Sequence, residues 1–252
     1  MQEMSVSSQG RVTILGCPID PVDLNTAIEK VEGFIATGDR MYQAIGINLD
    51  QLLKMKQDSD FAEIVRRGDL LTADGQSVLW LGRIFKQHIP ARVPGIDIMY
   101  ALLPPAAEKG YRIFMLGTRA EILADAMVRL QEQYPAIKIC GSHHGFFSQE
   151  DEPAVIDEIN RAEADILFIA ITSPKKELFV ERNRDRLKVK FVLGVGGTFD
   201  ILAGVTARAP VWMQRCGVEW VWRLIQEPRR MSRRLWISKG ILPYVFRELR
   251  GR

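Results

Sequence analysis

YRIFMLGTRAEILADAMVRLQEQYPAIKICG, residues 111–141, decides the fold. Its first seven residues are mostly apolar and end in glycine, as a strand buried on both faces reads. From 118 to 135 apolar residues recur at helical spacing, with Thr118 placed to cap the start and Pro135 past the end. "AIKICG" (136–141) is strand-like again. Strand, helix, strand is a βαβ unit, and it implies parallel strands joined by a right-handed crossover.

Outward from that unit the alternation continues. Toward the C-terminus, the helical "EPAVIDEINRAEA" (152–164) precedes the strand-like "DILFIAI" (165–171), and "KFVLGVGG" (190–197) adds another strand. Toward the N-terminus, "RVTILGCPID" (11–20) reads as an opening strand and turn. "DLNTAIEKVEGFIATGD" (23–39) has helical spacing and a glycine stop. "MYQAIGINLD" (41–50) is a strand ending near Asn48, followed by helices in "QLLKMKQ" (51–57) and "DFAEIVRRGD" (60–69). "LLTADG" (70–75) is strand-like, and the chain is then helical on both sides of a turn up to "PGIDIMYALL". The fold class is therefore α/β: a Rossmann-like, mainly parallel sheet flanked by helices. In such sheets ligands sit beyond the carboxyl ends of the strands. Asn48, Asp74, "GTRAE", "ITSPKKE" and "GVGGTFD" all follow strands, which brings five candidate site loops to one edge.

Composition bounds the function. The chain has 252 residues, 47% hydrophobic and 26% charged, as ordinary globular proteins do. Cys17, Cys140 and Cys216 are odd in number, widely spaced and outside any Cys/His ligand cluster. That argues against a disulfide scaffold or a zinc site and for a reduced, cytoplasmic chain. The opening "MQEMSVSSQG" lacks a signal peptide's apolar core, and no apolar run reaches the roughly 18 residues of a membrane span. Residues 207–252 carry 11 Lys+Arg against 3 Asp+Glu, net +8, which leaves net −5 for residues 1–206. The same tail holds four of the five tryptophans. We expect two parts: an α/β core over 1–206, and a basic, Trp-rich helical appendage over 207–252 suited to an anionic membrane surface. No nucleic-acid-binding signature accompanies the basic tail. The sequence is compatible with a homo-oligomer.

Asp74 stands alone at the end of the apolar run "LLTADG". It reads either as a helix N-cap or as a partly desolvated general base, with Gly75 allowing close approach to the backbone. "QDSD" (57–60) contains a DxD pair, the spacing with which sugar-nucleotide transferases hold a metal. It lies between two helices, however, where Ser59 or Asp60 can cap the second, and two acids make a poor metal site. We therefore expect no metal and no cofactor. "GVGGTFD" (194–200) is neither GxGxxG nor a P-loop, yet Gly196 and Gly197 form a turn able to cradle phosphate with backbone N–H groups. His88, His143 and His144 lack a matching nucleophile elbow, so a hydrolase triad is unsupported. The arginines of "WRLIQEPRRMSRRLW" (222–236) suit either a membrane surface or phosphate clamping.

Taken together, "ILGCPID", "INLDQL", "LLTADGQSV", "ARVPGIDI", "IFMLGTRAEI", "HGFF", "SPKKE", "GVGGTFDILAG" and "RAPVWMQRCGVEWVWRLIQEPRRMSRR" resemble the WecG/TagA/CpsF family of bacterial glycosyltransferases over roughly residues 11–237. The resemblance implies metal-independent, inverting transfer from a UDP-sugar to a polyprenyl-pyrophosphate-linked saccharide. It places the protein peripherally on the inner face of the plasma membrane. It makes Asp74 the base that deprotonates the acceptor and lets Asn48 line the pocket. Arg92, with Gly95 and Asp97 of the same element, would bind the nucleotide-sugar. Arg223, Arg230 and Arg233 would stabilise the UDP leaving group, a task some cation must perform when no metal is present. Two positions depart from the family pattern: Gly46 stands where threonine is frequent, and Lys176, before Glu177, stands where glutamine is usual. Both belong to the implied sugar pocket, and the family's donors include acetylmannosamine, acetylmannosaminuronic acid and glucose. The other readings are an inactive or regulatory membrane-binding protein of the same fold and, less well supported without GxGxxG, a nucleotide-binding oxidoreductase.

Overall fold

A computed structural model describes residues 10–226 and 230–250; of Arg223, Arg230 and Arg233 it describes the backbone, and their side chains lie outside the described residues. The core is a six-stranded sheet built from β3 (Tyr42–Ile47), β4 (Leu70–Ala73), β5 (Arg112–Gly117), β6 (Lys138–His143), β7 (Ile166–Ala170) and β8 (Phe191–Gly194). The strand order is β4-β3-β8-β7-β5-β6, and every pairing is parallel. The five expected loops therefore do leave one edge. The opening segment is more than a single strand: β1 (Val12–Ile14) and β2 (Cys17–Ile19) form an antiparallel hairpin. It lies against the outer strand β4, where the Asp20 N–H donates to the Leu71 carbonyl and the Leu71 N–H to Asp20 Oδ2, each at 2.8 Å. That covers part of an otherwise open sheet edge.

Helices cover both faces. On one side α1 (Leu24–Thr37), α5 (Gly95–Lys109), α6 (Ala120–Gln133) and α9 (Thr198–Leu202) bury a cluster that includes Phe34, Leu102, Leu130, Phe168 and Phe199. On the other side lie α2 (Leu49–Gln57), α3 (Ser59–Arg66), α4 (Gln76–Ile84), α7 (Glu152–Arg161) and α8 (Lys175–Arg182). Alternation along β3 and β4 sorts the side chains: Ala44 and Leu70 face the first layer, Ile45 and Leu71 the second. In α6, Leu123, Ala126 and Leu130 form the buried stripe that the sequence spacing predicts. Two capping expectations are corrected. The N-cap of α6 is Arg119, without a side-chain bond, because Thr118 adopts φ 49° and gives its hydroxyl to Asp200 instead. The N-cap of α3 is Asp58, whose Oδ1 accepts from the Asp60 and Phe61 N–H groups, so neither Ser59 nor Asp60 caps it.

The basic tail forms α10 (Val211–Arg215), α11 (Glu219–Gln226) and α12 (Arg230–Arg250). Ile237, Ile241 and Val245 recur every fourth residue along α12 and are buried with Leu52 and Leu53 of α2. Gly240 permits this close packing, since a Cβ there would lie 3.0 Å from Leu53 Cδ2. Among the described residues no helix is long and apolar enough to cross a membrane.

Candidate active site

The centre of the carboxyl edge is where β3 and β4 end. Asn48 N-caps α2: its Oδ1 accepts from the Asp50 N–H at 2.9 Å and the Gln51 N–H at 3.4 Å. The amide has a second half. Asn48 Nδ2 donates to Asp74 Oδ2 at 3.4 Å, so capping fixes the side-chain orientation that presents an N–H to the carboxylate. Asp74 is half-buried, and its own N–H donates to the Ile47 carbonyl. It does not cap the next helix. Gly75 is the N-cap of α4 and no side chain serves there, which leaves the Asp74 carboxylate uncommitted to capping. Gly46 makes room beside it, since a Cβ at Gly46 would stand 3.0 Å from Asp74 Cβ.

The segment carrying Arg92 runs alongside. The N–H of the buried Val93 donates to the Ala73 carbonyl at 2.8 Å, which seats Arg92 next to the strand end that bears Asp74. The Arg92 guanidinium pairs with Glu219 of α11, Nη2 to Oε2 at 2.8 Å. Gly95 opens α5 directly against β8, where a Cβ would meet the Gly194 carbonyl oxygen at 2.3 Å, so only glycine permits that approach. Asp97, on the first turn of α5, forms an ion pair with Arg208 of the tail.

Lys176 and Glu177 sit on the other face of the same edge. They form an ion pair with each other, and Glu177 is almost fully buried with Oε2 unpartnered among the described residues. The Lys176 stem lies across Gly194, whose Cβ would meet Lys176 Cε at 2.5 Å. Lys54 of α2 holds the preceding turn through the Ser173 carbonyl at 3.1 Å. At the end of β8, Gly196 takes φ 57° with open space where a Cβ would be, and Gly197 caps the short α9. The structure thus gathers Asn48, Asp74 and the Arg92 segment, sets Gly196 and Gly197 in the turn after β8, the strand next to β3, and places Lys176 and Glu177 on the other face of the sheet.

Five residues that sequence reasoning did not assign to the site also converge here. Thr118 Oγ1 donates to Asp200 Oδ1 at 3.1 Å, joining the loops after β5 and β8, and the Gly145 N–H ties in the loop after β6 through the Thr118 carbonyl. Their signal was position after a strand. Arg208 and Glu219 join tail to core, and only the charge pattern hinted at them. The backbone that carries Arg223 is held on both sides. Beside Glu219 at the start of α11, Trp222 Nε1 and Gln226 Nε2 donate to the Ala207 carbonyl at 3.0 and 2.9 Å. The arrangement offers one carboxylate, amide and cation donors, and a glycine turn. Such a set can hold a phosphate-bearing substrate and accept a proton beside it.

Comparison with known proteins agrees. Residues 12–252 match the model of the Glycosyl transferase WecG/TagA/CpsF family. The N-acetylglucosaminyldiphosphoundecaprenol N-acetyl-beta-D-mannosaminyltransferase of Bacillus subtilis (strain 168) is 32% identical over 192 residues, which cover 76% of this chain and 74% of the relative. The chain belongs to the WecG/TagA/CpsF family of glycosyl transferases.

Proposed function

We propose that the protein transfers a sugar, with inversion, from a UDP-sugar to a polyprenyl-pyrophosphate-linked saccharide in bacterial cell-envelope or exopolysaccharide assembly. The observation that carries this reading is the Asp74 carboxylate. It is half-buried at the sheet's carboxyl edge, released from capping, and oriented by Asn48 beside the Arg92 segment. Inversion by single displacement requires one such base. Asp74 takes the proton of the acceptor hydroxyl as its oxygen attacks the anomeric carbon, and UDP leaves from the opposite face. Negative charge then grows on the diphosphate. Arg92, with Arg223, Arg230 and Arg233 brought by the appendage, supplies the countercharge, and the Gly196–Gly197 turn offers backbone N–H groups. Asp58 of the DxD pair is engaged in capping α3, which favours metal-independent transfer.

The relative's name favours an N-acetylmannosamine donor and an N-acetylglucosamine-bearing lipid diphosphate acceptor. Gly46, whose missing Cβ lets the Asp74 side chain pack against it, and Lys176 are the positions where this chain departs from the family pattern, and they bear on donor choice. A panel of UDP-sugars tested with a lipid-pyrophosphate acceptor, with the product read by mass spectrometry, decides donor and acceptor together. Failure of every UDP-sugar to transfer defeats the reading.

We further propose that residues 207–252 act as the membrane-docking appendage and hold the protein on the inner face of the plasma membrane. The support is α12. Outside its buried stripe it exposes Trp236, Leu242, Phe246 and Leu249, with Lys239, Arg247 and Arg250 among them. Exposed apolar side chains interspersed with basic ones suit an anionic lipid surface.

A further inference from the structure

The Arg92–Glu219 pair crosses from the crevice to α11. Side-chain exposure is 18% for Arg92 and 7% for Glu219, so neither charge is well hydrated. Arg92 has little freedom to leave. Val93 is fully buried and bonded to the Ala73 carbonyl, and Pro94, the next residue, is the N-cap of α5. Arg92 is therefore held in place whether or not substrate is present, and a fixed, partly buried cation needs a counter-ion. Carboxylate and phosphate offer a guanidinium the same kind of paired oxygen acceptors, so one can replace the other.

We propose that Glu219 is a stand-in for the donor's diphosphate: it holds Arg92 in the donor-free protein and yields it when the nucleotide-sugar binds. The proposal rests on the UDP-sugar reading above. A diphosphate carries more negative charge than one carboxylate and wins the exchange, but donor affinity is lowered by what the displaced pair was worth. The place where α11 gives way is also visible. Gly217 precedes it with φ 71°, and the other end of the helix is tied to Ala207 by the uncharged Trp222 and Gln226 bonds, which the exchange leaves intact. Losing Glu219's hold on Arg92 loosens the start of α11 without detaching the helix. Cys216, exposed and three residues before Glu219, reports on that start.

The experiment measures UDP binding by titration calorimetry on the full-length protein. Glu219→Gln keeps the shape and removes the competing charge, so UDP binds about tenfold tighter, the size of one close charge-pair coupling. Glu219→Asp stays within about threefold of wild type. In an Arg92→Gln background the Glu219→Gln change has no effect on UDP affinity. A second measurement needs no variant: UDP speeds alkylation of Cys216 in the wild-type protein. Unchanged or weaker UDP binding by Glu219→Gln overturns the proposal. So does equal tightening without Arg92, or slowing of Cys216 alkylation by UDP. If wild type binds no UDP at all, the donor reading falls and this inference falls with it. If wild type binds UDP and Glu219→Gln is no tighter, the stand-in role alone is lost.

Discussion

Asn48 performs two tasks with two atoms, and substitution can part them. Its Oδ1 caps α2 while its Nδ2 reaches Asp74 at 3.4 Å. Serine caps as well as asparagine but is too short to touch Asp74, so Asn48→Ser keeps stability within about 0.5 kcal/mol. It gives up one long hydrogen bond to a charged group, about 1 kcal/mol, which lowers kcat roughly fivefold. Asn48→Ala loses both functions and costs a further ~1 kcal/mol of stability from the missing cap. Asn48→Asp is the sharpest variant. It still caps α2, but it sets a second negative charge where the amide stood. Two unit charges at 3.4 Å repel by about 5 kcal/mol at an effective dielectric of 20. Asp74 is half-exposed, so water leaves about 2 kcal/mol of that. The sign follows directly: a neighbouring negative charge favours the protonated base, the base works ionised, and so the acid limb of the pH–rate profile moves to higher pH. Urea unfolding and kcat measured across pH read both effects. Wild-type kcat in Asn48→Ser together with an unmoved acid limb in Asn48→Asp would refute the reasoning and separate Asn48 from the chemistry.

The remaining expectations are briefer. Asp74→Asn lowers kcat by about 10² to 10⁴-fold with UDP affinity unchanged, as loss of a general base does; near wild-type turnover in steady-state assays removes Asp74 from the mechanism. On the proposed reading, in which arginines supply the countercharge, activity survives EDTA; loss that manganese or magnesium restores points back to Asp58 and Asp60. In the native protein iodoacetamide modifies Cys216 readily and leaves Cys17 untouched, since burial pushes the Cys17 thiol up to about 12, and peptide mapping shows the order. Ile241→Ala costs about 2–4 kcal/mol in urea unfolding, whereas Phe246→Ser stays within about 0.5 kcal/mol yet weakens binding to anionic vesicles.

What the sequence made legible follows from how each feature is encoded. Buried parallel strands write themselves as short apolar runs, so "IFMLG" and "ILFIA" are plain, and the residues just after them locate the edge. Asn48 and Asp74 were found that way. Pairing between distant segments leaves no such mark. Arg92 and Glu219 are 127 positions apart, and nothing local in "VEW" says that its glutamate is buried against an arginine. Thr118 misled because a threonine before a helix fits a cap; the left-handed backbone that turns its hydroxyl to Asp200 depends on the β5–β7 edge it leaves. The path of Lys176 was equally silent in sequence: the bare Cα of Gly194 lets its stem cross the strand and pair with Glu177.

The contacts along α2 also bear on how the catalytic edge can meet the lipid-borne acceptor proposed above. α12 buries Ile237, Ile241 and Val245 beside Leu52 and Leu53, so the face that exposes Trp236 and Phe246 is fixed to α2 and does not hang from a linker. The first residue of α2 follows Asn48, and Asn48 holds Asp74. α2 has nine residues and spans about 14 Å. On the membrane-docking reading proposed above, a single short helix therefore joins the lipid-facing surface to the residue that orients the base. A rigid joint of that kind sets the height of Asp74 above the bilayer. That in turn sets how far an acceptor hydroxyl, separated from its lipid by a diphosphate and one sugar, must rise to meet it. On that reading the appendage has a catalytic role beyond anchoring: α11 carries Arg223 to the leaving group, and α12 holds the base at the acceptor's height.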